Sequence, residues 1–315
     1  MALPAVVERR VVAMGTWLAL RVEAGDRGRA LEASEAAVGE VARVESLLST
    51  WREGGPLDRL NRARPGAAVA IGGEAASLVK EIFEWSARTH GAFDPTVLPL
   101  VRAWDLRGGG RIPDACEIER ALAAVGSHLF VVDMARGEAR RLSPDAGIDE
   151  GAWGKGYALD CAAAALKKAG AREATIDLGG QILTLGPAEV SVSHPGERAR
   201  SVISLTIGAA SVSTSGNSER GLTVGGRRIG HLLDPHTGQP APDFGSATVV
   251  APSGFVADIL STAFFVLGPE KGLVLSEKLR KEGFANEVLF LVSSGDRLEA
   301  AASEGLSYRL EERQP

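Results

Sequence analysis

With 315 residues, 45% hydrophobic and 24% charged, the chain has a globular composition and ample length for a large core. Its formal net charge of −5 supplies no overall basic field, which argues against a nucleic-acid or anionic-lipid partner. The two cysteines, Cys116 and Cys161, lack a second Cys or a His at metal-ligand spacing, so no zinc site is indicated and no disulfide is required.

The apolar run from Val11 to Leu20 is interrupted by Gly15 and Thr16 and followed by Arg21 and Glu23 without a small-residue cleavage site. It reads as a buried strand rather than a signal peptide. No segment is read as reaching the roughly 18–20 apolar residues of a bilayer span, so no transmembrane segment is expected. The chain as it stands is expected to be cytoplasmic, or periplasmic if a leader preceded it. Leu31, Val38, Val41, Val44 and Leu48 fall at helical spacing. A glycine- and proline-containing link then leads to a second helix near 74–88, with Leu78, Ile82 and Trp85 inward. Asp114 and Glu117 form a capping box for a helix of about a dozen residues.

"HLFVVDM" reads as a strand, and "DEGAWGKGYALD" at 149–160 opens a helix near 156–169. The second half is strand-rich: "EATIDLGGQILTLG", "AEVSVSHP", "SVISLTIGAASVSTSG", "RIGHLLDP" and "SATVVAP". "GFVADILSTAFFVLG" reads as a helix, another spans about 270–282, and strands close the chain near 287–293 and 306–310. Long helices mostly precede a run of strands, without the alternation of a doubly wound sheet. That order predicts an α+β fold. With no repeat and no long linker, one domain over 1–315 is expected.

A lysine between glycines suggests a phosphate cradle, but both familiar motifs fail. "GAWGKG" lacks the spacing and the following hydroxyl of a P-loop, and "GKGYAL" lacks the third glycine of a dinucleotide fingerprint. The amides of Gly156 and Tyr157 at a helix start, with Lys155 beside them, would still suit an anion. A glycine-flanked turn with a solvated lysine is the plainer alternative. Four other segments bear on the choice. "ASVSTSG" at 210–216 ends a strand in hydroxyls. "HLLDPHTGQP" places His231 on a short strand ahead of a turn closed by Gly238. "DLGG" at 177–180 could admit a flat ligand or mark a bulge. Asp258 and Thr262 stand at i and i+4 on an apolar helix, a pairing of hard oxygens suited to magnesium, or else a dipole-stabilised acid and a back-bonded threonine.

In this order, these pieces resemble the FAD:protein FMN transferase family, also called ApbE. The matching residues are "MGT" at 14–16, "STWREGGPLDRLN" at 49–61, "GAFDPTVLPL" at 91–100, "DEGAWGKGYALD", "DLGG", "STSG", "HLLDPHTG" and "VADILSTAFFVLG", spanning about residues 10–295. Each piece is weak alone; eight in register are specific. The resemblance implies a T-fold-related α+β domain with helices on mainly antiparallel sheets. It implies an enzyme that uses magnesium and takes FAD as substrate. FMN would pass through a phosphoester bond to a Ser or Thr hydroxyl of a separate acceptor protein, a redox subunit, with release of AMP.

By the same resemblance, Asp258, Thr262 and a backbone carbonyl at Ala152 or Gly154 hold the metal. Lys155 faces the phosphates and His231 is the general base. Met14, Trp51, Asp94, Asp177, Gly179, Gly180, Thr214, Ser215 and Gly216 line the flavin or adenine. Departures from the family pattern "DLGGIAKGYA" are Glu150, Ala152 and Trp153, with Glu150 adding charge near the phosphates. Trp51 stands where the family has Tyr, and Gly55-Pro56 replace a Ser-Glu pair. FAD hydrolysis to FMN and AMP, and FAD binding without turnover, are the alternatives. A Rossmann-type oxidoreductase is disfavoured because no glycine fingerprint of a tightly held redox cofactor is present.

Overall fold

The N-terminal apolar run folds as a hairpin, not as one buried strand. Ala5–Ala13 and Thr16–Ala24 pair antiparallel across Met14 and Gly15, whose φ angles of 49° and 71° suit a tight two-residue turn. The computed structural model describes residues 4–217, 221–295 and 297–311. The chain divides into two compact units. One comprises Met1–Glu45, Trp153–Ser218 and Phe244–Pro315; the other comprises Ser46–Ala152 and Glu219–Asp243.

The first unit is built on an eight-stranded sheet. Its strands, in spatial order, are Ala5–Ala13, Thr16–Ala24, Glu173–Leu178, Gln181–Thr184, Ser211–Gly216, Gly245–Ala251, Glu287–Ser294 and Arg297–Ala302. Every pairing in it is antiparallel, as the α+β expectation requires. A three-stranded sheet of Tyr308–Leu310, Glu197–Ile207 and Ala188–His194 joins it through a core that includes Val192, Ile203, Leu205, Val212 and Leu289. The helices Gly154–Lys168 and Gly254–Lys281 pack on each other and on strands of the large sheet. The sequence predicts two helices where Gly254–Lys281 runs, and Gly268 (φ 76°) with Pro269 does break its helical geometry.

By length and composition Gly254–Lys281 is apolar enough to cross a membrane, contrary to the expectation that no segment would be. Half of its most apolar stretch is buried inside the fold, and Phe264 and Phe265 sit fully in the core. Those side chains account for its hydrophobicity as that of an interior helix.

The second unit holds the helices Pro56–Arg62, Gly73–Arg88, Leu98–Ala103 and Ala115–Leu122, with the small sheet Val69–Ala70, Glu138–Arg141 and Phe130–Asp133. The predicted capping box is present, with the Asp114 carboxylate accepting from the Glu117 amide and the Glu117 side chain accepting from the Asp114 amide. Its helix is shorter than predicted, at 8 residues. A core of Leu100, Trp104, Ile118, Ala121, Ile229 and Leu233 closes the turn at Gly238, whose carbonyl accepts from the Trp104 indole at 2.8 Å. Neither cysteine forms a disulfide.

Candidate active site

At one end of the large sheet two hairpin turns lie against each other. The "DLGG" segment is a turn between Glu173–Leu178 and Gln181–Thr184, not a bulge. Gly179 and Gly180 have φ of 62° and 88°, and Asp177 Oδ1 accepts from the Gly180 amide at 2.7 Å. A Cβ on Gly179 would lie 2.8 Å from Thr16 Cγ2, so the Met14–Gly15 turn approaches this one closely. Met14 itself is half-buried, with its amide on the Glu45 carboxylate. Ser211 and Val212 pair with Leu183 and Ile182. Continuing that register carries Thr214, Ser215 and Gly216 past the Gly179–Gly180 turn.

The glycine-lysine segment starts a helix, yet its amides do not wait for a phosphate. The Gly156 amide donates to Asp258 Oδ2 at 2.9 Å, and the Tyr157 amide donates within the helix to the Trp153 carbonyl. Lys155 Nζ stands 3.6 Å from Asp258 Oδ1. The anion at this helix start is therefore Asp258, only 4% exposed, supplied by the neighbouring helix. The two helices cross at glycines. A Cβ on Gly156 would lie 2.2 Å from the Gly254 carbonyl oxygen, and one on Gly254 would lie 2.7 Å from the Gly156 carbonyl oxygen. Trp153 is fully buried, edge-on to Phe255, so its bulk belongs to the core and not to a phosphate mouth. Asp160 fixes the start of the second helix by accepting from Ser253 and from the amides of Gly254 and Phe255.

A chain of hydroxyls continues from Asp258. Ser261 donates to the Asp258 carbonyl at 3.0 Å, so its single proton is engaged and it can only accept from Ser213 (3.1 Å) and Ser215 (2.9 Å). With its proton on Ser261, Ser215 in turn accepts from Thr262, 3.4 Å away. The helix back-bond foreseen as an alternative for Thr262 is made by Ser261 instead. Thr262, half-buried, keeps its lone pairs for another partner. Strand alternation turns Thr214 to the opposite face, where it meets Thr248 at 2.9 Å, so Thr214 and Ser215 do not share a surface.

No group of three or more His, Cys, Asp or Glu side chains suited to a metal occurs among the described residues. The donor set at Asp258 is of another kind: one carboxylate with the hydroxyls of Thr262 and Ser215. Magnesium accepts such a set, because it takes one or two carboxylates and completes its shell with water and substrate phosphates. In chemistry the residues fit.

In the second unit, three of the sequence motifs meet. The Asn61 amide pairs in both directions with the backbone of Ile148 at 2.8 Å, and the Asp149 amide donates to the Pro95 carbonyl. Arg107 donates to the Thr50 carbonyl and hydroxyl and to Asp149, and its guanidinium covers the Trp51 ring at 4.5 Å. Trp51 is otherwise 62% exposed, leaving a ring surface for stacking. Sequence reasoning missed Arg107, which sits in a loop with no periodic or motif signal. Asp94 closes its own turn on Thr96 and is held above the usual carboxylate range by burial. His231 is not on a strand; it occupies a half-buried bend two residues beyond Arg227–Ile229, ahead of the Asp234–Gly238 turn. Ala152, half-buried, ends this unit's main segment.

Glu150 is enclosed here, accepting from the Thr50 amide and hydroxyl, with Arg107 at 3.6 Å. Burial first, and the adjacent Asp149 carboxylate second, push its carboxyl up to about 7. This enclosure favours the protonated form, against the expectation that Glu150 adds negative charge near the phosphates. The folded chain holds this proton where the unfolded chain, near 4.5, has released it. Stability from this group is thus complete below pH 4.5 and is lost as pH rises through 7, by up to about 3 kcal/mol. In Glu150→Gln, denaturant midpoints measured from pH 5 to pH 8 should lose most of that decline.

The ApbE family model matches residues 14–285. The chain belongs to the ApbE family. Among similar ApbE proteins, the FAD:protein FMN transferase of Klebsiella pneumoniae is 32% identical, with 90% of this chain and 83% of that protein covered. The FAD:protein FMN transferase of Salmonella typhimurium is 31% identical over the same shares. The crystal structure of the ApbE protein from Thermotoga maritima superposes with a TM-score of 0.84 at 28% identity, covering 95% of this chain and 97% of the other. The apo form of the Pseudomonas stutzeri flavinyl transferase ApbE gives 0.79 at 25% identity, covering 96% and 95%. Within this ApbE fold Lys155, Asp258, Thr262 and Ser215 come together in the first unit, with Met14, Asp177, Gly179 and Gly180 in the hairpin turns of the same unit. Trp51, Asp94, Ala152 and His231 belong to the second.

Proposed function

We propose that this chain is an FAD:protein FMN transferase, which moves FMN from FAD to an acceptor protein. The observation that carries this reading is its 32% identity, over 90% of its length, to a protein of that name. The acceptor is a Ser or Thr hydroxyl on a separate protein, a redox subunit. Its oxygen attacks the FMN phosphorus, the bond from that phosphorus to the AMP phosphate oxygen breaks, and AMP leaves. His231 takes the hydroxyl proton as general base. Lys155 offers its ammonium to the phosphates, while Asp258 keeps that ammonium from swinging into solvent.

Asp258 and Thr262 would hold magnesium, which when bound offsets the charge of the diphosphate bridge. The fixed hydrogen bond from Gly156 and the hydroxyl chain through Ser261 and Ser215 keep those oxygens oriented. Trp51 offers its ring to the flavin.

Incubation with FAD and magnesium should release AMP, and EDTA should stop it. Adding an acceptor protein should yield a covalent FMN adduct by mass spectrometry. AMP with free FMN and no adduct would mark a hydrolase, and tight FAD binding without AMP would mark a passive carrier.

A further inference from the structure

The second unit contains a cleft of about 270 Å³ lined by Thr50, Asp58, Asn61, Arg62, Arg102 and Arg107, with Leu98 at its apolar wall. Three guanidinium groups face one carboxylate, in a protein whose overall charge is −5. That carboxylate is already engaged: Asp58 accepts from Arg62 at 2.7 Å and from the Gly54 amide at 2.9 Å. Arg62 also pairs with Glu53. Arg107 has both terminal nitrogens on Thr50 and Asp149, while its buried Nε–H has no acceptor. The Arg102 side chain, exposed to solvent, makes no hydrogen bond or ion pair among the described residues.

Arg141, close enough to feel the charge of Arg102, donates to the carbonyls of Ala63, Pro144 and Ala146 and to no acid. The Arg102 guanidinium is held below its ordinary pKa by burial, then by Arg107; Asp145 opposes this without forming an ion pair, and Arg62 adds to it. Arg62 and Arg107 already hold carboxylate partners, whereas Arg102, exposed at the cleft, has none among the described residues, and an anion arriving from outside would supply one.

We propose that this cleft binds a small oxyanion, a carboxylate or phosphate group, with Arg102 as its principal donor. The planar fork of an arginine matches both chemistries. A carboxylate would arrive as an acidic side chain of the acceptor protein, and a phosphate as the free ion. The site does not depend on Asp258, on magnesium or on the transfer reaction.

Calorimetric titration of the full chain with inorganic phosphate, and with a capped glutamate-containing peptide beside its glutamine counterpart, tests this. Saturable binding of phosphate identifies the free ion, and binding of the glutamate but not the glutamine peptide identifies a side-chain carboxylate. Either should weaken roughly tenfold or more in Arg102→Gln, the loss expected for a charge-assisted bond. Thermal melting in phosphate-free buffer guards against a folding defect. Because the substitution relieves repulsion, the Tm of Arg102→Gln should equal or exceed that of the parent. The proposal is overturned if neither probe binds at millimolar concentration, if Arg102→Gln binds as the parent does, or if that variant melts lower in the absence of anion.

Discussion

Asp258→Asn should lower AMP release from FAD by roughly 100-fold or more, since even the outer partners of a catalytic metal cost 10–100-fold when removed. The substitution is chosen because it separates charge from shape. Asparagine retains a carbonyl oxygen for the Gly156 amide, which now donates at 2.9 Å, and it fills the same space between the two helices. What it removes is the charge that faces Lys155 at 3.6 Å and that a divalent ion requires. Lys155 is partly exposed, so its unpaired ammonium can turn to water and the cost to folding is small. A melting curve close to the parent's, with activity lost, is the expected pair of results. Undiminished AMP release in the folded variant would remove Asp258 from the reaction and with it the oxygen set built around Thr262 and Ser215.

Gly156→Ala should be a strongly destabilising addition of a single methyl. Its Cβ would meet the Gly254 carbonyl oxygen at 2.2 Å, the Gly254 carbonyl carbon at 2.6 Å and Asp258 Cβ at 2.8 Å. Two of these are backbone atoms of a buried helix, which cannot rotate away as a side chain could. Overpacking of this kind costs about 3 kcal/mol or more, because the helices must separate along their whole contact. Gly39→Ala is the matched control: it lies inside a helix, with nothing within 4 Å of the added carbon. There alanine should stabilise by about 0.5–1 kcal/mol, its usual advantage over glycine in a helix. Denaturant unfolding of the two variants should move in opposite directions. A mild effect at Gly156 would mean that the helices are not held at this distance.

The parts of the fold that were legible in the sequence are those with local signals. The helix Gly73–Arg88 follows from its apolar spacing, and the Asp114–Glu117 box marks its helix start to the residue. The N-terminal hairpin was misread because Met14 adopts positive φ, which Gly15 alone does not announce. The same limit applies at the site. Asp258 and Thr262 declare themselves by polarity on an apolar helix, but who satisfies them is a long-range matter. Gly156 lies 102 positions from Asp258 in the chain, and Ser215 lies 47 from Thr262. Glu150 looked like an added negative charge because its enclosure by Thr50 and Arg107 depends on residues 100 and 43 positions away. Arg107 itself carried no pattern at all.

The route of the backbone has a practical outcome. The chain leaves the first unit after residue 45, returns at 153, leaves again after 218 and returns at 244. No single scission can therefore release either unit as an intact fragment. A protease nick between residues 46 and 243 would leave two pieces that each still thread both units, so protein nicked there should stay associated under native conditions and come apart only when denatured. Excising the smaller unit for separate expression would need residues 46–152 and 219–243 fused through a new connection.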